Sequence, residues 1–127
     1  MRMTTCMLLR TLHEFWAQTG VACWLEGHAH QAPETPYLLY TAGRGDFGKM
    51  TGAAATAWFS GTDAAKRRAG MAERIDRMIP PEGAKIMTEG GMVLIERDQE
   101  RFMEMTGNET DPALLGIRIR IAMRIYD

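Results

Sequence analysis

Leu115-Gly116-Ile117-Arg118-Ile119-Arg120-Ile121-Ala122-Met123-Arg124-Ile125-Tyr126 alternates without a break. The odd positions are Leu, Ile or Met, and the even ones Gly, Arg, Ala or Tyr. In an extended chain successive side chains point to opposite faces. Alternation this long predicts a long antiparallel strand with one buried face. The other face carries Arg118, Arg120 and Arg124.

Moving outward, the remaining elements supply what such a strand packs against. Residues 4–18 read as a helix: Cys6, Leu8, Leu9, Leu12, Phe15 and Trp16 recur at three- and four-residue spacing. Thr4 or Thr5 suits the N-cap, and Gly20 suits the end. Val21–Glu26 and Tyr37–Thr41 read as strands, separated by a loop with two prolines and two histidines. Ala42–Gly52 holds four glycines and reads as a mobile hairpin tip. Ala53–Ser60 is read as the returning strand, although its alanines favour helix. Thr62–Ile79 reads as a second helix, capped by Thr62 and stopped by Pro80 and Pro81. Its apolar stripe is expected at Ala65, Ala69, Ala72, Ile75, Met78 and Ile79. Ala84–Thr88 and Met92–Glu96 read as a hairpin around Glu89, Gly90 and Gly91. Gln99–Asp111 is polar and reads as irregular. The expected fold is α+β, an antiparallel or mixed sheet of about five or six strands with two helices packed on one face. All of it, residues 1–127, is expected to be one domain carrying a mobile glycine-rich loop at 42–52.

Composition removes several function classes. A chain of 127 residues suits one domain with its own core. Fifteen Lys and Arg face sixteen Asp and Glu, so the basic excess of a nucleic-acid coat or a polybasic membrane binder is missing. No apolar run reaches the roughly 18–20 residues of a membrane span, and the first ten residues read as helix rather than signal peptide. Two cysteines do not make a disulfide framework. Free thiols in a reducing cytoplasm are the expectation.

Few constellations suggest chemistry. His28 and His30 flank one residue, with Glu26 and Glu34 near, and His-x-His can begin a metal site. Beyond these only His13 remains, on an apolar helix, so solvated loop histidines are the preferred reading. Cys6 and Cys23 are placed on buried faces, where a thiol is inert. Gly43-Arg44-Gly45-Asp46 with Gly48-Lys49 lacks the phosphate-loop spacing and the helix behind it. It is read as a flexible contact loop. The Arg-Gly-Asp triplet and the Asn108-Glu109-Thr110 glycosylation pattern are read as chance. Arg118, Arg120 and Arg124 suit a solvated face, salt bridges to a second subunit, or a positive lining for passing DNA. No carboxylate pair, Ser-His-Asp order or dinucleotide fingerprint appears, so the chain is expected not to be an enzyme and to have no catalytic residues, cofactor or metal.

The order of elements carries a resemblance. A helix leads into Val21–Glu26, and a loop into Pro36-Tyr37-Leu38-Leu39-Tyr40. Ala53–Ser60 then runs through Trp58-Phe59-Ser60-Gly61-Thr62-Asp63 into a helix. A hairpin and Ile117-Arg118-Ile119-Arg120-Ile121 finish the chain. Over nearly its whole length this pattern resembles the small tail-terminator (tail-completion) and minor capsid proteins of tailed bacteriophages and prophages. Ala53–Ala57 departs from it, being weaker β sequence than such a strand usually carries. The resemblance implies a virion protein, assembled in the bacterial cytoplasm as a ring of six that caps the tail tube and meets the head-completion proteins. It implies a central channel that passes DNA without reading its sequence, and no membrane contact. Subunit or channel contacts would then fall on Arg44, Asp46, Phe47 and Lys49 in the loop and on Arg118, Arg120 and Arg124 in the last strand. Terminator, head-completion and minor capsid roles stay open between them. The alternative is a small cytoplasmic α+β binding or regulatory module, holding a metal through Glu26, His28 and His30 or binding a protein ligand.

Overall fold

The computed structural model describes residues 3–27, 34–42 and 50–126. Helix α1 (Thr5–Ala17) starts where Thr4 caps it: the Thr4 hydroxyl accepts from the Met7 amide at 3.1 Å. Leu8, Thr11, Leu12, Phe15 and Trp16 are its buried face. Cys6, expected on that face, is exposed. It lies two residues before Leu8, about 200° around the helix, away from the core.

Four strands precede the last helix-to-sheet crossing or follow it closely: β1 (Ala22–Leu25), β2 (Tyr37–Tyr40) and β3 (Met50–Phe59), then β4 (Ala84–Thr88). β5 (Gly91–Arg97), β6 (Met103–Gly107) and β7 (Leu115–Tyr126) complete a seven-stranded mixed sheet. β1 and β2 are parallel, and every other pairing is antiparallel. The α+β class and the long last strand are as the sequence predicts.

β7 is the spine. One edge pairs with β3 from Leu115 to Arg124. The other is shared: β6 takes Leu115–Ile119 and β5 takes Ile121–Tyr126. Between those stretches the Asp98 amide donates to the Arg120 carbonyl at 3.2 Å. The Arg120 amide donates to the Phe102 carbonyl at 2.7 Å. The ladder along β7 is thus kept nearly complete, as a buried strand requires. Ile117, Ile119, Ile121, Met123 and Ile125 are at most 4% exposed and join Leu8, Leu12, Phe15, Trp16 and Ile75 in one core. Fully burying a side chain of this size contributes about 1.5–3 kcal/mol.

The structure corrects several expectations. β3 begins at Met50, so Met50–Gly52 belong to a strand rather than to a 42–52 loop. Residues 43–49 of that loop lie outside the described residues. The strand reading of Ala53–Ser60 holds through Phe59: ten paired residues on β7 override the weak intrinsic preference of the alanines. β6 lies inside 99–111, read as irregular; it is five residues long and partly exposed, too short for its alternation to stand out. Gly91 is the first residue of β5 rather than part of the turn. Helix α2 (Ala64–Met78) begins two residues later than expected. Asp63 is its N-cap and makes no side-chain capping bond, so Thr62 is not the cap. The buried residues of α2 are Ala64, Met71 and Ile75, whereas Ala65 and Ala69 are exposed. Alanine at four positions gave the stripe no clear phase, and within the helix the large buried residues Met71 and Ile75 set it.

Arginines tie the layers together. Arg74 Nη1 donates to the Thr19 carbonyl at 2.9 Å, just past the end of α1. Gly20 follows at φ +83°, and a Cβ there would lie 2.8 Å from that same Nη1. Glycine therefore serves both the left-handed turn and the arginine's approach.

Candidate functional site

Side chains paired directly across strands share a face. The register therefore assembles a row on the face of the sheet away from the buried isoleucines. Trp24 on β1 stands beside Leu39 on β2, Thr56 on β3, Arg118 on β7 and Glu104 on β6. Two residues further along β7, Arg120 faces Ala54, and then Ala122 faces Gly52. Arg124 follows beside Leu94. The structure thus brings the three predicted arginines into one line.

Their environments differ. Arg118 is exposed and, among the described residues, has no hydrogen-bond or ion-pair partner. Arg120 Nη2 reaches Glu104 Oε1 at 3.4 Å, with both side chains about two-fifths exposed. A pair so placed is worth at most about 1 kcal/mol. Arg124 Nη1 donates to the Tyr126 hydroxyl at 3.5 Å, and that contact holds its guanidinium above its ordinary pKa. The Nε atoms of Arg120 and Arg124 are covered and lack a hydrogen-bond partner.

Small residues beside these long ones leave a trough. Gly52, Ala54, Thr56 and Ala122 cannot fill the space that Arg118, Arg120 and Trp58 rise around. A depression of about 140 Å³ lies between Glu26, Trp58 and Arg118. It shares Thr41, Ala54 and Arg118 with a second of about 320 Å³ at Arg120 and Asp98. That one shares Gly52 and Asp98 with a third of about 350 Å³, bordered by Glu96 and Glu100. Acidic groups stand at both ends and the arginines between them. Asp98 is held below the ordinary carboxylate range because its side chain accepts from the Arg101 and Glu100 amides, at 3.0 and 2.9 Å.

Of the loop candidates, Arg44, Asp46, Phe47 and Lys49 lie outside the described residues, as do His28 and His30. Glu26 is exposed at the trough's end, and Glu34 is exposed elsewhere. Among the described residues no three His, Cys, Asp or Glu side chains gather to hold a metal.

The sequence reading missed one cluster. Cys23 Sγ lies 3.7 Å from His13 Nδ1, which in turn lies 3.3 Å from the Tyr40 hydroxyl. Burial raises the pKa of the Cys23 thiol. It also raises that of Tyr40, with the Cys23 charge adding to the rise. Both therefore stay protonated at neutral pH, which suits a polar contact between buried Cys23 and Tyr40 and the exposed His13 rather than a nucleophile. No spacing rule links positions 13, 23 and 40. Helix, parallel pair and register bring them together.

No family model matches this chain, and no curated protein matches it. It is similar to a solved structure with 13% sequence identity, at TM-score 0.65, covering 98% of this chain and 97% of the other. At that identity the likeness speaks for the fold alone.

Proposed function

We propose that this chain is a structural protein of the head–tail joining region of a tailed bacteriophage or prophage, a tail terminator that closes as a ring on the tail tube. The observation that carries the reading is the arginine row, with Arg118 unpartnered on an open sheet face. An exposed arginine with no partner among the described residues, flanked by Arg120 and Arg124, is available to something outside the subunit, a second subunit or the phosphates of DNA in transit. The sheet's edges also support ring assembly. β1 ends the strand order on one side and β4 on the other, and a head-to-tail ring covers exposed edges when it closes. The protein then works without catalysis, in the virion, through contacts to itself, to the tail tube and to head-completion proteins. Its task is to stop tube growth and present a surface for the head.

The test is light scattering behind size exclusion, across protein concentration and with Mg²⁺ present or absent. A mass near six subunits, or growth toward it with concentration, supports the reading. A strict dimer under every condition overturns it in favour of a small binding module. A monomer is decided by adding tail tubes: capture at tube ends supports the terminator, and no capture overturns it.

A further inference from the structure

We infer that His13 Nδ1, Cys23 Sγ and the Tyr40 hydroxyl form a site for one Zn²⁺ ion, with water in the fourth position. Three elements deliver these atoms: His13 lies in α1, Cys23 in β1 and Tyr40 in β2. β1 and β2 are parallel, with Cys23 paired to Leu38 and Leu25 to Tyr40. Side chains alternate along a strand, so Cys23 and Tyr40 share one face. The contacts of His13 show that α1 lies over that face. Thiolate and imidazole are the donors zinc selects, and the phenol adds an oxygen.

The spacing carries the inference. The sulfur lies 3.7 Å and the phenol oxygen 3.3 Å from the same ring nitrogen. Zinc binds sulfur at about 2.3 Å and nitrogen or oxygen at about 2.0–2.2 Å. At tetrahedral angles its sulfur then stands roughly 3.5–3.6 Å from its nitrogen, and its oxygen roughly 3.3–3.5 Å. Both observed edges have the size such a polyhedron needs. They serve less well as hydrogen bonds. Nitrogen and oxygen usually bond across about 2.7–3.2 Å. One ring nitrogen also offers a single lone pair to two donors. Without metal the thiol can donate to the His13 carbonyl at 3.8 Å. His13 is exposed whereas Cys23 and Tyr40 are buried, so the ion and its water have a path from solvent. Binding releases the thiol proton to that solvent. The ion would then clip α1 to β1, a four-residue strand at one end of the sheet.

The experiment uses the full chain carrying Cys6→Ser, because Cys6 is exposed and would bind the probe on its own account. The protein is stripped with a chelator and titrated with Co²⁺, whose absorption reports its ligands. One Co²⁺ per chain is expected, with the visible bands of tetrahedral coordination and a sulfur charge-transfer band in the near ultraviolet. Zn²⁺ should abolish both. His13→Ala and Cys23→Ser should each weaken binding about tenfold or more, and Cys23→Ser should remove the charge-transfer band. Tyr40→Phe should keep that band and alter the visible ones. Zn²⁺ should raise the urea midpoint of the parent and leave that of His13→Ala unmoved. Should Cys23→Ser fail to fold, His13→Ala, at an exposed position, still decides the matter. A parent without a charge-transfer band at saturating Co²⁺ overturns the site. So does binding that is equal in the parent and His13→Ala. Visible bands unchanged in Tyr40→Phe overturn the three-residue ligand set. None of these outcomes touches the ring, which light scattering decides.

Discussion

Arg97 Nε donates to the Ile79 carbonyl at 2.7 Å, joining the end of β5 to the residue that closes α2. The same guanidinium reaches the Asp76 carbonyl at 3.3 Å and its carboxylate at 3.1 Å, and it stands 4.5 Å over the Phe102 ring. A cation at a helix C-terminus meets orphan carbonyls and the negative end of the dipole. Arg97→Met keeps the stem and removes these contacts. We expect it to destabilise the fold by about 1.5–3 kcal/mol, the range for hydrogen bonds to charged groups. Asp76→Asn should cost under about 1 kcal/mol, because Asp76 is 62% exposed. Urea denaturation of both variants measures the difference.

Gly116 leaves room for Trp58. A Cβ at position 116 would lie 2.7 Å from Trp58 Cζ3 and 2.9 Å from Thr106 Cγ2. Gly116→Ala is therefore expected to cost about 1–3 kcal/mol, the range for overpacking. Most of that cost should vanish when Trp58→Leu is added. A double-mutant cycle by denaturation checks the coupling.

The two thiols should separate by reactivity. Cys6 is exposed and Cys23 buried, so native protein at pH 8 should react with a thiol reagent at one cysteine quickly. The second should react only as the protein unfolds. Equal rates at both would contradict the buried placement.

Stability should fall on the alkaline side. Cys23 has a folded-state pKa above its ordinary value of 9.0, and Tyr37 and Tyr40 lie above theirs of 10.0. Above about pH 9 the unfolded chain therefore loses protons that the folded chain keeps, and stability declines with pH until the folded groups ionise too. Below pH 9 these groups contribute no slope. Urea midpoints from pH 7 to 11 should show the decline, and Tyr40→Phe should flatten it.

Arg118→Ala should leave stability within about 0.5 kcal/mol of the parent, as for an exposed side chain without partners. Its effect should appear only in association. A loss of stability above 1 kcal/mol would assign Arg118 a role inside the subunit.

The sequence by itself determined the spine of this protein. Unbroken alternation from Leu115 to Tyr126 could be satisfied only by a strand with one dry face, and that face put three arginines on the other. The apolar spacing of α1 and its threonine cap were equally local, and so equally legible. Tertiary structure decided the rest. Ala53–Ala57 is strand because β7 supplies ten partners for β3. β6 is strand because β7 offers it a free half-edge, and the alternation in Met103-Glu104-Met105-Thr106 is too short to announce it alone. The trough exists because register sets Gly52 and Ala54 of β3 opposite Ala122 and Arg120 of β7. The contact of Cys23 with His13 has the same kind of origin. Local patterns report what one segment must bury, whereas register between distant segments reports which residues meet, and sequence spacing does not encode it.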